Sequence, residues 1–203
     1  MVCFFCSMAV VAQNDSEYEE RIEQYQKDWS KLIPRYTKVQ YAGSMGLFSL
    51  GTGWVYGKNN QWETDLMFGY IPKYSTEHGK LCITLKENFT PWDLIIGQKG
   101  FSFQPLSCGI YVNSVIDDDF WVSEPGKYPN AYYTFSTKIR FNFFVGQRIA
   151  FKIPKAKRDW AKSLALFYEI SSNELYIVSA ANNHYLKPSN YLHLSLGIKI
   201  QWF

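Results

Sequence analysis

Residues 190–203, NYLHLSLGIKIQWF, alternate between apolar and polar side chains over nearly their whole length. One parity is wholly apolar: Leu192, Leu194, Leu196, Ile198, Ile200 and Trp202. The other parity carries His193, Ser195, Gly197, Lys199 and Gln201. Successive side chains of a β-strand point to opposite faces, so the segment predicts a strand with one apolar face. An apolar face must be shielded from water, and either a protein core or lipid would shield it.

The same two-residue period runs through most of the chain after Arg35. It is clear in residues 48–56, 62–70, 81–89, 106–113 and 133–143, and weaker in 147–153, 164–171 and 174–180. One parity is large and apolar, whereas the other holds Gly, Ser, Thr, Asn and charges of both signs. Glycine weakens an exposed strand of a soluble sandwich, but small side chains and paired charges suit a narrow barrel interior. We therefore predict an all-β fold, an antiparallel transmembrane β-barrel of about eight strands.

Composition supports lipid on the outside of this barrel. Aromatic residues make up 18% of the 203 residues, more than a soluble core of this size needs. Such an excess is typical of aromatic girdles at the two membrane boundaries. We expect girdle positions at Trp54, Trp62, Tyr70, Tyr133 and Trp202. The net charge is +3 and the basic residues are scattered, so no nucleic-acid partner is predicted.

The first 36 residues differ from the rest. Residues 1–12 are apolar and uncharged, and small residues precede a cut after Ala12, which predicts a truncated signal peptide without its basic start. A short buried strand is the alternative. Within residues 13–36, apolar residues recur every three or four positions from Tyr18 to Leu32 before Pro34, which predicts one amphipathic helix. This helix could lie in a membrane interface, close a barrel mouth or pack on a sheet. The barrel is assigned to residues 37–203.

Cysteine spacing gives no sign of a metal site. Cys82 and Cys108 remain after removal of the signal, and their pairing is left open. No Cys-x-x-Cys motif occurs in the mature part, so we predict neither a metal nor a cofactor.

These features together resemble the small outer-membrane β-barrels of Gram-negative bacteria. The resemblance covers about residues 37–203 and includes a terminal strand that ends in Ile-Gln-Trp-Phe. It implies a location in the cell outer membrane, contact with outer-membrane lipid and lipopolysaccharide, and recognition of the C-terminal strand by the barrel assembly machinery. A helix before a barrel is also similar to the lipid A palmitoyltransferase. The His and the Asp-Ser pair of that enzyme have no counterpart here.

One short motif resembles the catalytic dyad of outer-membrane lipid A deacylases. In His193-Leu194-Ser195, the His would act as a general base on Ser. A second, weaker resemblance to this dyad lies at residues 168–173, where Glu169 stands in the place of the His and Ser171 follows. No acidic residue comes after His193 to orient it. We interpret these side chains as hydrogen-bonding groups of the barrel interior, with a degenerate, deacylase-like lipid A acyl-chain-modifying enzyme as the alternative.

The polar parity also carries charges. We expect a lumen network of Glu63, Asp65, Lys86, Lys138, Arg140, Glu169 and Lys199. Charges in a cramped interior must pair, so the network would keep the barrel rigid and closed. A polar path for a small solute is the alternative. Residues 117–119, three aspartates, predict a solvated loop or a divalent-cation bridge to lipopolysaccharide, and the connection 117–130 is expected outside the cell.

The predicted function is that of a non-enzymatic outer-membrane barrel with a polar, filled lumen. It would act through its loops or in envelope integrity. A soluble, lipocalin-like barrel is the third hypothesis, and it requires the apolar parity to face inward.

Overall fold

The computed structural model describes residues 18–73, 78–97, 100–116, 139–182 and 188–202. The chain divides into two compact units, Met1–Pro34 and Arg35–Phe203. The first unit contains helix α1 (residues 18–31), which ends shortly before Pro34 as the sequence predicts. Within α1, Tyr25 and Trp29 meet edge to face at 5.9 Å, and Lys31 pairs with Asp28 at 2.7 Å. Among the described residues, no helix combines the length and the apolar character needed to cross a bilayer.

The second unit is a closed antiparallel barrel of eight strands, which confirms the predicted fold. The ring runs β1-β2-β3-β4-β6-β7-β8-β9 and closes where β9 pairs with β1. A short ninth strand, β5, pairs only with the start of β6. The strands are β1 (Tyr36–Ala42), β2 (Phe48–Tyr56), β3 (Trp62–Ile71), β4 (Lys80–Phe89), β5 (Leu94–Ile96), β6 (Phe101–Ile116), β7 (Ile139–Lys152), β8 (Ser163–Asn173) and β9 (His193–Gln201).

Two segments differ from the sequence prediction. The described part of the fifth periodic segment and residues 147–152 form one continuous strand, β7, with a single alternation of faces. Residues 174–180 belong to a helix, α2 (Glu174–Asn182), instead of a weak strand. The side chain of Asn173 accepts a hydrogen bond from the backbone N–H of Tyr176 at 2.9 Å, which caps the first turn. A second short helix, α3 (Pro188–Tyr191), precedes β9.

An even number of strands places both chain ends of the barrel at one end, which we call the terminal end. It holds Arg35 and Trp202, whose backbones are joined by a hydrogen bond of 2.9 Å. The turn 57–61 and the connections 90–100 and 153–162 also lie there. The opposite end, the loop end, has the two longest connections, residues 117–138 and 174–192. Residues 117–138, and with them the three aspartates and Tyr133, lie outside the described residues.

The outer surface is apolar between two aromatic bands. At the terminal end, ring pairs form between Trp62 and Phe89 at 4.6 Å and between Trp160 and Trp202 at 5.2 Å. At the loop end, Tyr41 packs on Phe48 at 5.2 Å. The outward positions between the bands are mostly aliphatic and largely uncovered: Val39, Leu50, Leu85, Ile149, Leu166, Leu196 and Ile198 are each 42–58% exposed.

Small residues let side chains from other strands fill the interior. A Cβ atom on Gly53 would lie 2.3 Å from the hydroxyl oxygen of Tyr36, so only glycine leaves room for that ring. At the loop end the turn after β1 folds inward, and Met45 joins Met67, Tyr111 and Phe144 in a small apolar cluster.

Cys82 and Cys108 are both free thiols. Cys82 lies inside the barrel, where its thiol donates to the main-chain oxygen of Met45 at 2.8 Å. Cys108 has the opposite parity and pairs with Phe89 near the terminal end. The structure thus contains no bond between these two cysteines, because they lie on different faces of the barrel wall.

Candidate functional site: the charged lumen

Strand alternation brings eight charged side chains of the described residues into the barrel interior. Each occupies the polar parity of its strand, and each is at most 7% exposed: Lys38, Glu63, Asp65, Lys80, Lys86, Arg148, Glu169 and Lys199. They come from six of the eight strands of the ring. The lumen is therefore the site at which distant parts of the chain meet, and its side chains carry charge instead of forming an apolar core.

The larger of two clusters is centred on Glu63 and Asp65 of β3. Glu63 pairs with Arg148 of β7 at 2.6 Å and with Lys199 of β9 through its other oxygen. Asp65 pairs with Lys38 of β1 at 2.5 Å and accepts the hydroxyl hydrogen of Tyr36. Both carboxylates are thus fully engaged with cations or hydrogen-bond donors.

Asn88 of β4 joins these two halves into one network. Its amide donates to Asp65 at 2.9 Å and to the main-chain oxygen of Glu63 at 3.0 Å, while its oxygen accepts from Arg148 at 3.1 Å. The Lys199 ammonium also lies 4.0 Å from the centre of the Tyr36 ring. Such a network spans the lumen from one wall to the opposite one.

The second cluster is a single ion pair between Lys86 of β4 and Glu169 of β8. The Lys86 ammonium lies 3.9 Å from the centre of the Phe144 ring, a favourable cation–π contact. Glu169 Oε1 has no hydrogen-bond partner within the described residues.

These pairs determine what the lumen can do. An isolated buried charge costs several kcal/mol, so each ion pair depends on its partner staying in place. The side chains of Tyr36, Lys38 and Lys86 are fully covered, with 0% exposure. The middle of the barrel is accordingly a packed, salt-bridged section of protein.

The structure brings together five of the predicted lumen residues: Glu63, Asp65, Lys86, Glu169 and Lys199. Arg140 is different, because it contacts Glu174 of α2 at 3.4 Å at the loop end and remains 29% exposed. Arg140 therefore has the inward parity expected of it, but its ion pair is with α2 at the loop end instead of with the buried network. Lys138 lies outside the described residues.

Two cations of the network were missing from the sequence prediction. Lys38 has the parity of Gln40 in β1, and Arg148 has the parity of Asn142 in β7. Strand alternation would have found both if β1 and the full length of β7 had been recognised as single strands.

The candidate catalytic residues do not form a dyad. His193 and Ser195 face the interior, as expected from their parity. The Ser195 hydroxyl donates to the main-chain oxygen of Glu169 at 3.3 Å, so its hydrogen is not directed to the imidazole. The ring of His193 packs on Tyr176 at 5.7 Å. Ser171 donates to the main-chain oxygen of His193 at 3.4 Å, and Glu169 is held by Lys86.

The expected girdle residues lie on the outer surface where the structure describes them. Trp62 is 41% and Tyr70 is 48% exposed, near opposite ends of β3. Trp54 faces outward and is half-buried. The indole N–H of Trp202 donates to the Thr37 hydroxyl at 3.0 Å, which fastens the chain end to β1. Tyr133 is outside the described residues.

No group of three or more His, Cys, Asp or Glu side chains is placed to hold a metal ion in the described ranges. Comparisons with protein-family models, with curated proteins and with solved structures find no match to this chain. Its functional interpretation therefore rests on the chemistry of the barrel itself.

Proposed function

We propose that this chain is an integral β-barrel of a bacterial outer membrane, with a closed lumen and a function in the envelope carried by its loop end. The observation that carries the proposal is the inverted distribution of polarity. Eight charged side chains of the described residues are buried inside the barrel, while large aliphatic residues cover the outside. Soluble proteins show the opposite distribution: apolar side chains are buried most often, and Lys, Glu, Arg and Asp are mostly exposed.

The dimensions of the outer surface fit a bilayer. Trp62 and Tyr70, near the two ends of β3, are eight residues apart. Eight residues span about 26 Å along a strand, or about 20 Å across a membrane at a tilt of about 40°. The apolar band of outer-membrane barrels is about 25 Å tall. The two aromatic bands are therefore spaced for the two membrane interfaces.

The connections give an orientation. Bacterial barrels have short periplasmic turns and longer extracellular loops. The loop end, with connections 117–138 and 174–192, would face the exterior and contact lipopolysaccharide, and the terminal end would face the periplasm. In this orientation β9 is the strand available to the barrel assembly machinery. The soluble, lipocalin-like hypothesis requires a mostly apolar interior, whereas polar and charged residues outnumber hydrophobic ones among the buried residues that the structure describes.

The first experiment is a fractionation with a test of heat-modifiability. We expect the full chain in the outer-membrane fraction, with faster gel migration before boiling than after it, because a closed barrel resists unfolding in mild detergent. Unfolded protein from inclusion bodies is the control and should migrate alike in both samples. A protein that stays soluble without detergent and shows no shift would contradict the proposal.

A second experiment tests the role in the envelope. Cells without the protein should take up more of a hydrophobic dye, and the wild-type gene should restore the barrier. Mass spectrometry of lipid A from the same strains distinguishes the enzymatic alternative. A change in acyl number would favour an acyl-chain-modifying enzyme, whereas unchanged lipid A with altered permeability supports a structural role.

A further inference from the structure

A cavity of about 560 Å³ opens at the terminal end of the barrel. Its inner wall includes Glu63, Arg148 and Lys199 of the buried network. Thr90, Lys152 and Lys162 line the part closer to the mouth. We call this space the terminal vestibule. It is far larger than the roughly 30 Å³ that one water molecule occupies in the liquid, so it has room for a small solute.

The vestibule carries a surplus of positive charge. Its lining contains four cations, Arg148, Lys152, Lys162 and Lys199, and two anions, Glu63 and Asp93. Lys152 is paired with Asp93 at 2.6 Å, and Glu63 is shared by Arg148 and Lys199. After this pairing the lining retains two positive charges. Walls of low dielectric strengthen the attraction of such a surplus for an anion.

Buried hydrogen-bonding groups without partners point in the same direction. Arg148 is 2% exposed, and its two terminal nitrogens bind Glu63 and Asn88. Its Nε–H has no hydrogen-bond partner within the described part of the chain. The Thr90 hydroxyl, on a residue that is 6% exposed, is also without a partner among the described residues. A buried donor left unsatisfied is destabilising, and an acceptor in the vestibule would remove that cost.

We propose that the terminal vestibule binds a small, freely diffusing oxyanion of the phosphate type. The Nε–H of Arg148 and the Thr90 hydroxyl donate hydrogen bonds to it, and Lys162 supplies the balancing charge near the mouth. The strands of the barrel wall are continuous around the vestibule, so the ligand enters through the mouth from water. The site goes beyond the proposed envelope function and requires only the closed barrel.

The test is calorimetric titration of the refolded full chain with inorganic phosphate, in a non-ionic detergent at constant ionic strength. We expect saturable binding of one phosphate per barrel.

Lys162→Gln, at an exposed position that spares the network, should weaken binding about three- to tenfold, because it removes one full charge near the ligand. Thr90→Val should also weaken it. Lys155→Gln is the matched control, since it removes the same charge at the same end outside the vestibule lining, and should change the affinity by less than about twofold.

Arg148→Lys keeps the charge of Arg148 but removes the Nε–H, and it should weaken phosphate binding in barrels that pass the heat-modifiability test. If this variant does not fold, Lys162→Gln and Thr90→Val still decide the matter. Absence of saturable phosphate binding by the folded wild-type barrel, or equal affinities of Lys162→Gln and Lys155→Gln, would overturn the proposal. The heat-modifiability result itself does not depend on phosphate, so the two proposals fail separately.

Discussion

At the scale of single residues, stability depends on carboxylates that each hold a buried cation. Glu63 serves two cations, Arg148 and Lys199, whereas Glu169 serves Lys86 in a simpler pair. Loss of one partner leaves a charge in a low-dielectric interior, and loss of both leaves none. A single substitution should therefore destabilise the barrel more than the double substitution does.

Glu169→Leu should lower the free energy of unfolding by about 3–5 kcal/mol, because it strands the Lys86 ammonium inside the barrel. The double variant Lys86→Met/Glu169→Leu should recover most of that loss. Urea unfolding of the refolded barrel, followed by tryptophan fluorescence, measures both values. A double variant that is less stable than Glu169→Leu would show that the pair itself is strongly stabilising.

A second residue, Asp93, makes the stability of the barrel depend on pH. Partial burial acts to raise the pKa of this carboxyl, but the hydrogen bond and charge of Lys152 outweigh it and hold the pKa below the ordinary value of 3.8. A lowered pKa in the folded state means that the Asp93–Lys152 pair stabilises the barrel above about pH 4. This contribution is lost as the pH falls through the folded pKa.

We therefore expect the difference in urea midpoint between wild type and Asp93→Asn to be largest near pH 6. It should shrink when the pH falls below about 4. Comparison at each pH isolates Asp93, because all other carboxylates are common to the two proteins. Since both side chains are more than a third exposed, the effect should be small and reduced by salt. A difference that grows toward low pH would contradict the assignment.

At the scale of elements, each strand of the barrel separates an apolar outer face from a polar inner face. In β4 the inward residues are polar, whereas Leu81 and Leu85 face outward, 57% and 56% exposed. Leu85 lies near the middle of the strand and Leu81 near the loop end. Because the two side chains are equally exposed, a difference in stability loss between substitutions at these positions would indicate that they lie at different depths in a membrane.

Leu85→Arg should lower stability in lipid vesicles by about 2–4 kcal/mol, and Leu81→Arg by about 0–1 kcal/mol. The reason is the cost of moving a guanidinium to the centre of a bilayer instead of its interface. Urea titration of vesicle-inserted protein measures both losses. Equal and near-zero losses would indicate that water surrounds both positions and that the barrel does not span a membrane.

At the scale of the whole molecule, the closed ring and the filled lumen predict a barrel that does not conduct ions. The network of Glu63 and Asp65, which includes Tyr36, crosses the interior, and the apolar cluster around Met45 fills space at the loop end. Eight strands leave an interior just wide enough for side chains. The molecule is thus suited to act through its ends and its outer surface.

In planar bilayers the wild-type barrel should show no long-lived open-channel steps. The double variant Lys38→Ala/Asp65→Ala removes both partners of one ion pair and leaves neither charge unpaired. It should therefore fold, and it should show brief channel openings more often than the wild type. Unfolded protein in the same detergent is the control for conductance caused by the detergent. Steady conductance through the wild type would contradict a closed lumen.

The alternation of residues 190–203 and of five other segments was enough to predict the barrel, because strand parity is a local property of the chain. It also placed Glu63, Asp65, Lys86 and Lys199 on the inner face. Helix α2 was missed because its capping by Asn173 is a contact of one side chain, which a two-residue period does not reveal.

Sequence by itself thus determined which face of each strand is polar, and only the tertiary structure decided which polar side chains meet. Glu63 contacts Arg148 and Lys199, which are 85 and 136 residues away along the chain. Their meeting depends on the register of every strand pair and on the closure of β9 against β1, which are set by the whole ring at once. The same closure creates the terminal vestibule, whose lining comes from six strands and the turns between them.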